Sequence, residues 1–63
     1  MESFWNGGTL VQFEAFGAGS RYNYRVFLTT EFVQRRFEGR DEFGTLREAE
    51  RAALRAVTTL LEA

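Results

Sequence analysis

An α+β fold, in which a three-stranded antiparallel sheet carries one C-terminal helix on one face (βββα), is what this 63-residue chain predicts. Three observations lead there. Two segments alternate with period two around a glycine-bearing turn, a C-terminal segment repeats with helical period behind its own start signal, and an aromatic, arginine-rich segment lies between them.

At the N-terminus "NGG" (6–8) reads as a turn, and the residues before it are assigned to no element. The segments "TLVQFEAF" (9–16) and "RYNYRVFLTT" (21–30) are rich in aromatic and β-branched residues and flank "GAGS" (17–20), the pattern of a hairpin. Folding about the middle of that turn sets Ala15 opposite Tyr22, Phe13 opposite Tyr24 and Val11 opposite Val26, all apolar. The other face then carries Gln12 opposite Arg25, Glu14 opposite Asn23, Leu10 opposite Phe27 and Phe16 opposite Arg21. A slip by one residue would set apolar groups against polar ones, so the assignment of faces is strongly specified.

The segment "FVQRRFE" (32–38) has two readings. As a strand it places Val33 and Phe37 on one face and Phe32, Gln34, Arg36 and Glu38 on the other. Arg35 then turns inward, which is tolerable near an edge where its head reaches water. As a helix it has Thr30 as a cap, a Glu31–Arg35 pair and Gly39 as a terminator. The strand is preferred because a two-stranded sheet is marginal in water and a third strand widens the floor beneath the helix. "GRDEFG" (39–44) is then the loop back.

Thr45 precedes "LREAERAALRAVTTLLEA", and Glu48 follows it by three, the Thr-x-x-Glu capping box that starts a helix at Leu46. Leu46, Ala49, Ala53, Ala56, Val57, Leu60 and Leu61 share one face of that helix, and Arg47, Arg51, Arg55, Thr58 and Glu62 the opposite one. Its alanines permit close approach to Phe13, Tyr22 and Tyr24. The expected core joins Phe13, Tyr24, Val26, Ala53 and Val57.

Composition bounds the function. The chain is expected to be one domain spanning residues 1–63, too small for a deep cleft and with a thin stability margin. Hydrophobic residues at 44% and aromatics at 16% are enough to drive folding. No cysteine is present, so neither disulfides nor a thiolate metal site can form. No apolar run approaches the ~20 residues of a membrane span and no signal-peptide pattern is visible, which makes the cytoplasm the expected location. With no His, Cys or Lys, the commonest bases and nucleophiles are missing. Glu38, Asp41 and Glu42 read as solvated acids without a desolvating pocket, and their spacing matches no calcium loop. "NGG" and "GAG" do not lead from a strand into a helix, as a phosphate loop would. No enzyme, cofactor or metal site is expected.

Charge is local. Residues 1–20 carry −2, residues 21–40 carry +3 and residues 41–63 carry −2, summing to the net −1. All eight basic residues are arginine. That suits planar, bidentate contacts and equally suits coding bias. Arg47, Arg51 and Arg55 form a solvated helix stripe. The sheet face away from the helix offers Arg25 and Arg36 beside Phe27, Phe32 and Phe16, with Arg21 at its end. Arginine interleaved with aromatic rings suits either a single-strand nucleic-acid platform or a protein interface. A sequence pI near 5.3 and the neighbouring Glu14, Glu31 and Glu38 disfavour phosphate and suit a protein with a mixed-sign rim. The expected partner-binding set is therefore Arg25, Phe27, Phe32, Arg36, Arg21 and Phe16.

"TLREAERAAL" is similar to the alanine-rich last helix of double-stranded-RNA-binding domains, over that helix alone. The chain as a whole resembles the short, cysteine-free, acidic single-domain proteins of phages and mobile elements, of which anti-CRISPR proteins are the best-known class. "FEGRDEFGTLREAERAA" is similar to the strand, loop and helix entry of small βββα families, through Phe43, Thr45, Glu48 and Ala49. The resemblance implies a stoichiometric inhibitor docking on a CRISPR effector in the host cytoplasm. The expectation is thus a non-enzymatic protein-binding module of that type, with single-stranded nucleic-acid binding as the alternative. The uncovered aromatic face or an edge strand would also allow a homodimer.

Overall fold

The structure, a computed structural model, describes residues 1–62. Its elements follow the order β1 (Glu2–Asn6), β2 (Thr9–Ala18), β3 (Arg21–Thr29), β4 (Gln34–Glu38) and α1 (Leu46–Glu62). The strands form an antiparallel meander, β1-β2-β3-β4. The fold is α+β with one C-terminal helix, as predicted, but the sheet has four strands where three were expected.

The added strand is β1. Asn6 pairs with Thr9 across Gly7-Gly8, and Gly7 has φ 61°, so a two-residue loop turns the chain back on itself. The turn at "NGG" was legible; what it joined on its N-terminal side was not.

The β2–β3 pairing differs from the predicted register by two residues. Ala15 faces Tyr24, Phe13 faces Val26 and Val11 faces Leu28. On the other face Glu14 faces Arg25, Gln12 faces Phe27 and Phe16 faces Asn23. The cause lies in the turn. β2 runs on through Ala18, which pairs with Arg21, so the loop is Gly19-Ser20 rather than four residues. Gly19 supplies the positive φ of 65° that such a loop needs at its first position. Gly17 makes the extension possible: at its φ of 144°, a Cβ would lie 2.3 Å from the Arg21 carbonyl oxygen and 2.7 Å from Tyr22 Cα.

Residues 31–38 are not helical, and the strand within them starts at Gln34. Phe32 and Val33, expected inside it, belong to the hairpin loop. Thr30 explains the boundary: its amide bonds the Val33 carbonyl at 2.8 Å, and its hydroxyl accepts from the Phe32 and Val33 amides. Glu31 and Phe32 are left at the tip. Arg35 does lie on the inner side of an edge strand, exposed, with its guanidinium 5.5 Å from the Phe37 ring.

The helix starts where its cap places it. The Thr45 hydroxyl accepts from the Glu48 amide at 3.1 Å, while the Glu48 carboxylate accepts from the Gly44 amide at 3.2 Å, one residue earlier than the reciprocal bond of a capping box. The inner face of α1 buries Ala49, Ala52, Ala53 and Val57. Ala52 was not in the expected set, and Leu46, which was, is exposed. The helix packs over the two long central strands, where Val11, Val26 and Val57 form the buried cluster. Phe13, Tyr24, Leu28, Phe37, Ala56, Leu60 and Leu61 close around them, so the expected core assembles with Phe13 and Tyr24 half-buried at its margin.

Between β4 and α1 the chain stays on the sheet. Gly39 donates its amide to the Tyr24 carbonyl, and Phe43 exchanges both main-chain bonds with Tyr22. A Cβ at Gly39 would fall 2.5 Å from Asn23 Oδ1 and from Tyr24 Cε2, so only glycine fits this crossing.

Candidate partner-binding face

Alternation sends Val11, Phe13, Tyr24, Val26 and Phe37 toward the helix, leaving the other set of side chains on a face that no element covers. Its rows follow from register. Glu14, Arg25 and Glu38 lie side by side across β2, β3 and β4. In the next row Ser3, Gln12, Phe27 and Arg36 adjoin one another, and beyond it Trp5, Leu10, Thr29 and Gln34. Phe16 and Asn23 lie on the opposite side of the charged row, with Arg21 past them at the end of β3.

The charged row is internally paired. Arg25 donates from Nη1 to Glu14 Oε1 at 3.1 Å and holds Nε 3.5 Å from Glu38 Oε1. Its guanidinium carbon sits 4.3 Å from the centre of the Phe16 ring, within cation–π range. Arg36 reaches the same Glu38 oxygen through Nε at 3.0 Å and through Nη2. Hydrogen bonding from Arg36 holds the Glu38 carboxyl below its usual range; desolvation opposes it, and the positive charges of Arg36 and Arg25 reinforce it. Charge-assisted bonds of this kind fix orientation, though as partly exposed pairs they add little stability.

Of the six expected binding residues, five lie on this face. Phe27 is the direct cross-strand neighbour of Arg36, Arg25 is flanked by carboxylates and rests on Phe16, and Arg21 lies at the far end. Phe32 is the exception. It projects from the β3–β4 tip, 87% exposed, rather than from the sheet. Arg25 is already occupied by Glu14 and Glu38. Arg36 is the more available guanidinium, its side chain 60% exposed.

Sequence reading missed Trp5, which is 69% exposed and extends the aromatic part of the face onto β1. The signal was weak: "ESFW" before Asn-Gly-Gly runs polar-polar-aromatic-aromatic rather than alternating, so only the two rings beside a turn dipeptide hint at a hairpin strand. Among the described residues no three acidic, histidine or cysteine side chains gather as a metal-binding set, and no helix is long and apolar enough to cross a membrane. Compared with models of known families, with characterised proteins and with solved structures, the chain matches none of them.

Proposed function

We propose that this protein is a non-enzymatic protein-binding module whose contact surface is the uncovered sheet face. The observation that carries the reading is the Glu14–Arg25–Glu38–Arg36 network, set between Phe16 on one side and Phe27, Leu10 and Trp5 on the other. Its guanidinium groups are neutralised by neighbouring carboxylates, which removes the local excess of positive charge that phosphate binding depends on. What remains is a fixed pattern of both signs beside apolar and aromatic side chains, the composition of a protein interface in which charge sets registry and rings supply contact area. A stoichiometric inhibitor docking on an effector protein, the role implied by the resemblance to anti-CRISPR proteins, is the form of binding we propose.

The test is affinity capture from lysate of the host cell with three baits: the native protein, Phe27→Ser on the open face, and Arg51→Glu on the outer helix face. A protein retained by the native and Arg51→Glu baits and lost with Phe27→Ser supports the reading. Retention that ignores Phe27 overturns the assignment of the face. Binding of a labelled single-stranded oligonucleotide at micromolar or tighter affinity in ~150 mM salt, where charges are screened beyond about 8 Å, overturns the protein partner in favour of nucleic acid.

A further inference from the structure

The meander leaves two outer edges, and their chemistry is opposite. β4 presents Gln34, Arg35, Arg36 and Glu38, and charge on an edge strand repels a second strand. β1 is Glu2-Ser3-Phe4-Trp5-Asn6, exposed at every position and bearing one charge. Large apolar side chains gather beside it. Phe4 is 41% exposed and, being paired with Val11, projects to the helix-covered side. Toward the Glu2 end of the strand Met1 and Leu54, 65% and 51% exposed, line a cleft of about 510 Å³ with Phe13 and the acidic Glu2, Glu14 and Glu50. The helix lies over β2 and β3, leaving β1 without a roof.

We propose that β1 joins two copies of this chain edge to edge, antiparallel about a twofold axis at Phe4, into one continuous sheet. The inference does not depend on what the open face binds.

Hydrogen-bond direction restricts the register. The Tyr22 and Tyr24 main chains bond toward the β4 side, so along β3 the odd-numbered residues bond toward β2. By the same alternation Val11 and Phe13 bond toward β1, where Phe4 and Glu2 answer them, and the Ser3 and Trp5 amides and carbonyls point outward. A second β1 must therefore set outward residues against outward residues, which puts the axis on a residue. At Ser3 the axis would oppose Phe4 to Glu2, and at Trp5 it would leave Glu2 and Ser3 beyond the end of the partner strand. At Phe4 the whole strand pairs. Ser3 and Trp5 exchange main-chain bonds, Glu2 meets Asn6 with no like-charge contact, and Phe4 meets Phe4.

Such an axis is perpendicular to the sheet, so both helices stay on one side. The Phe4 pair then lies in the trough between them, each ring beside Val11 of its own copy. The same operation on β4 about Arg36 would set guanidinium against guanidinium. Charge thus selects one edge over the other.

Sedimentation equilibrium from micromolar to millimolar concentration tests the proposal, with circular dichroism confirming the fold of each variant. The native protein is expected to dimerise. Phe4→Lys and Phe4→Glu, which place like charges at the axis, should each raise the dimer dissociation constant roughly tenfold or more. An equimolar mixture of the two should dimerise again, because Lys then faces Glu. A native protein that stays monomeric overturns the proposal, as does a dimer that persists in both variants, or a mixture that fails to recover.

Should either charged variant lose its fold, a second measurement decides. Directly opposed residues of a non-hydrogen-bonded pair lie about 4.5 Å apart at Cα, within disulfide reach. In this cysteine-free chain, Phe4→Cys should oxidise to a covalent dimer while Arg36→Cys on β4 should not. Failure of Phe4→Cys to crosslink, or equal crosslinking by both, overturns the edge assignment.

Discussion

The two faces of the sheet are built from the same strands and held by different forces. On the helix side Val11 and Val26 are fully buried with Val57 of the helix, whose Ala49 and Ala53 are buried too, and such small side chains let a helix approach a sheet closely. On the open side the side chains are held laterally, by Arg25 reaching Glu14 and Glu38 across strands and Arg36 reaching Glu38 along β4. Burial specifies shape where a cover exists; where none exists, complementary charge fixes side-chain positions without hiding them. A domain of this size can therefore spare one whole face for contact. Its stability resides almost entirely on the other.

Phe13→Ala should have the largest effect. Phe13 closes the margin of the valine cluster from β2, and its loss should cost about 3 kcal/mol, the low end for a phenylalanine because it is half-buried. That is a large fraction of what holds so small a domain together. Urea denaturation measures it, and a loss below that of Arg25→Met on the open face would reverse the division of labour between the faces.

Gly39→Ala probes the point where the faces meet. The added methyl would strike Asn23 Oδ1 on the open side and the Tyr24 ring on the covered side, so the crossing chain must shift. A destabilisation of about 1–3 kcal/mol is expected, typical of overpacking. Gly8→Ala, which like Gly39 has no positive φ but meets no neighbouring atom, serves as a control for the loss of glycine alone. Equal costs at the two sites would show that the crossing is looser than described.

The smallest effect belongs to the open face. Glu38 has a lower pKa in the folded chain than in the unfolded one, chiefly through its hydrogen bond from Arg36. Its contribution is therefore complete above the ordinary glutamate value of ~4.3 and is lost as pH falls through the folded value. A carboxyl titration followed by NMR should find Glu38 below that ordinary value, and Arg36→Gln should move it back up. A pKa unmoved by Arg36→Gln would remove the network's outer link.

Local signals were legible wherever the physics is local. Thr45 and Glu48 mark the helix start because capping involves residues three apart, whatever the rest of the chain does. Period-two alternation sorted Val11, Phe13, Tyr24 and Val26 from Gln12, Glu14 and Arg25, since successive strand residues must face opposite ways. Strand β1 was missed because its every residue is exposed, and a segment with no buried face leaves a weak pattern.

The faces, the helix and its cap, and the residues that make an aromatic, arginine-bearing surface were legible in the chain alone. The tertiary structure decided which of those residues touch. Alternation fixes register only to an even number, because a shift of two returns each side chain to the same face. The choice fell to the turn, where Gly17 lets β2 continue past Phe16 and Gly19 closes a two-residue loop. That shift moves Arg25 from Gln12 to Glu14 and brings Phe27 opposite Gln12, converting a free guanidinium into the centre of an ion-pair network. It also placed Phe32 at a hairpin tip, because the Thr30 hydroxyl and amide close the loop one residue before the strand can begin. Pair contacts between strands depend on distances that the chain sets only once its turns have closed.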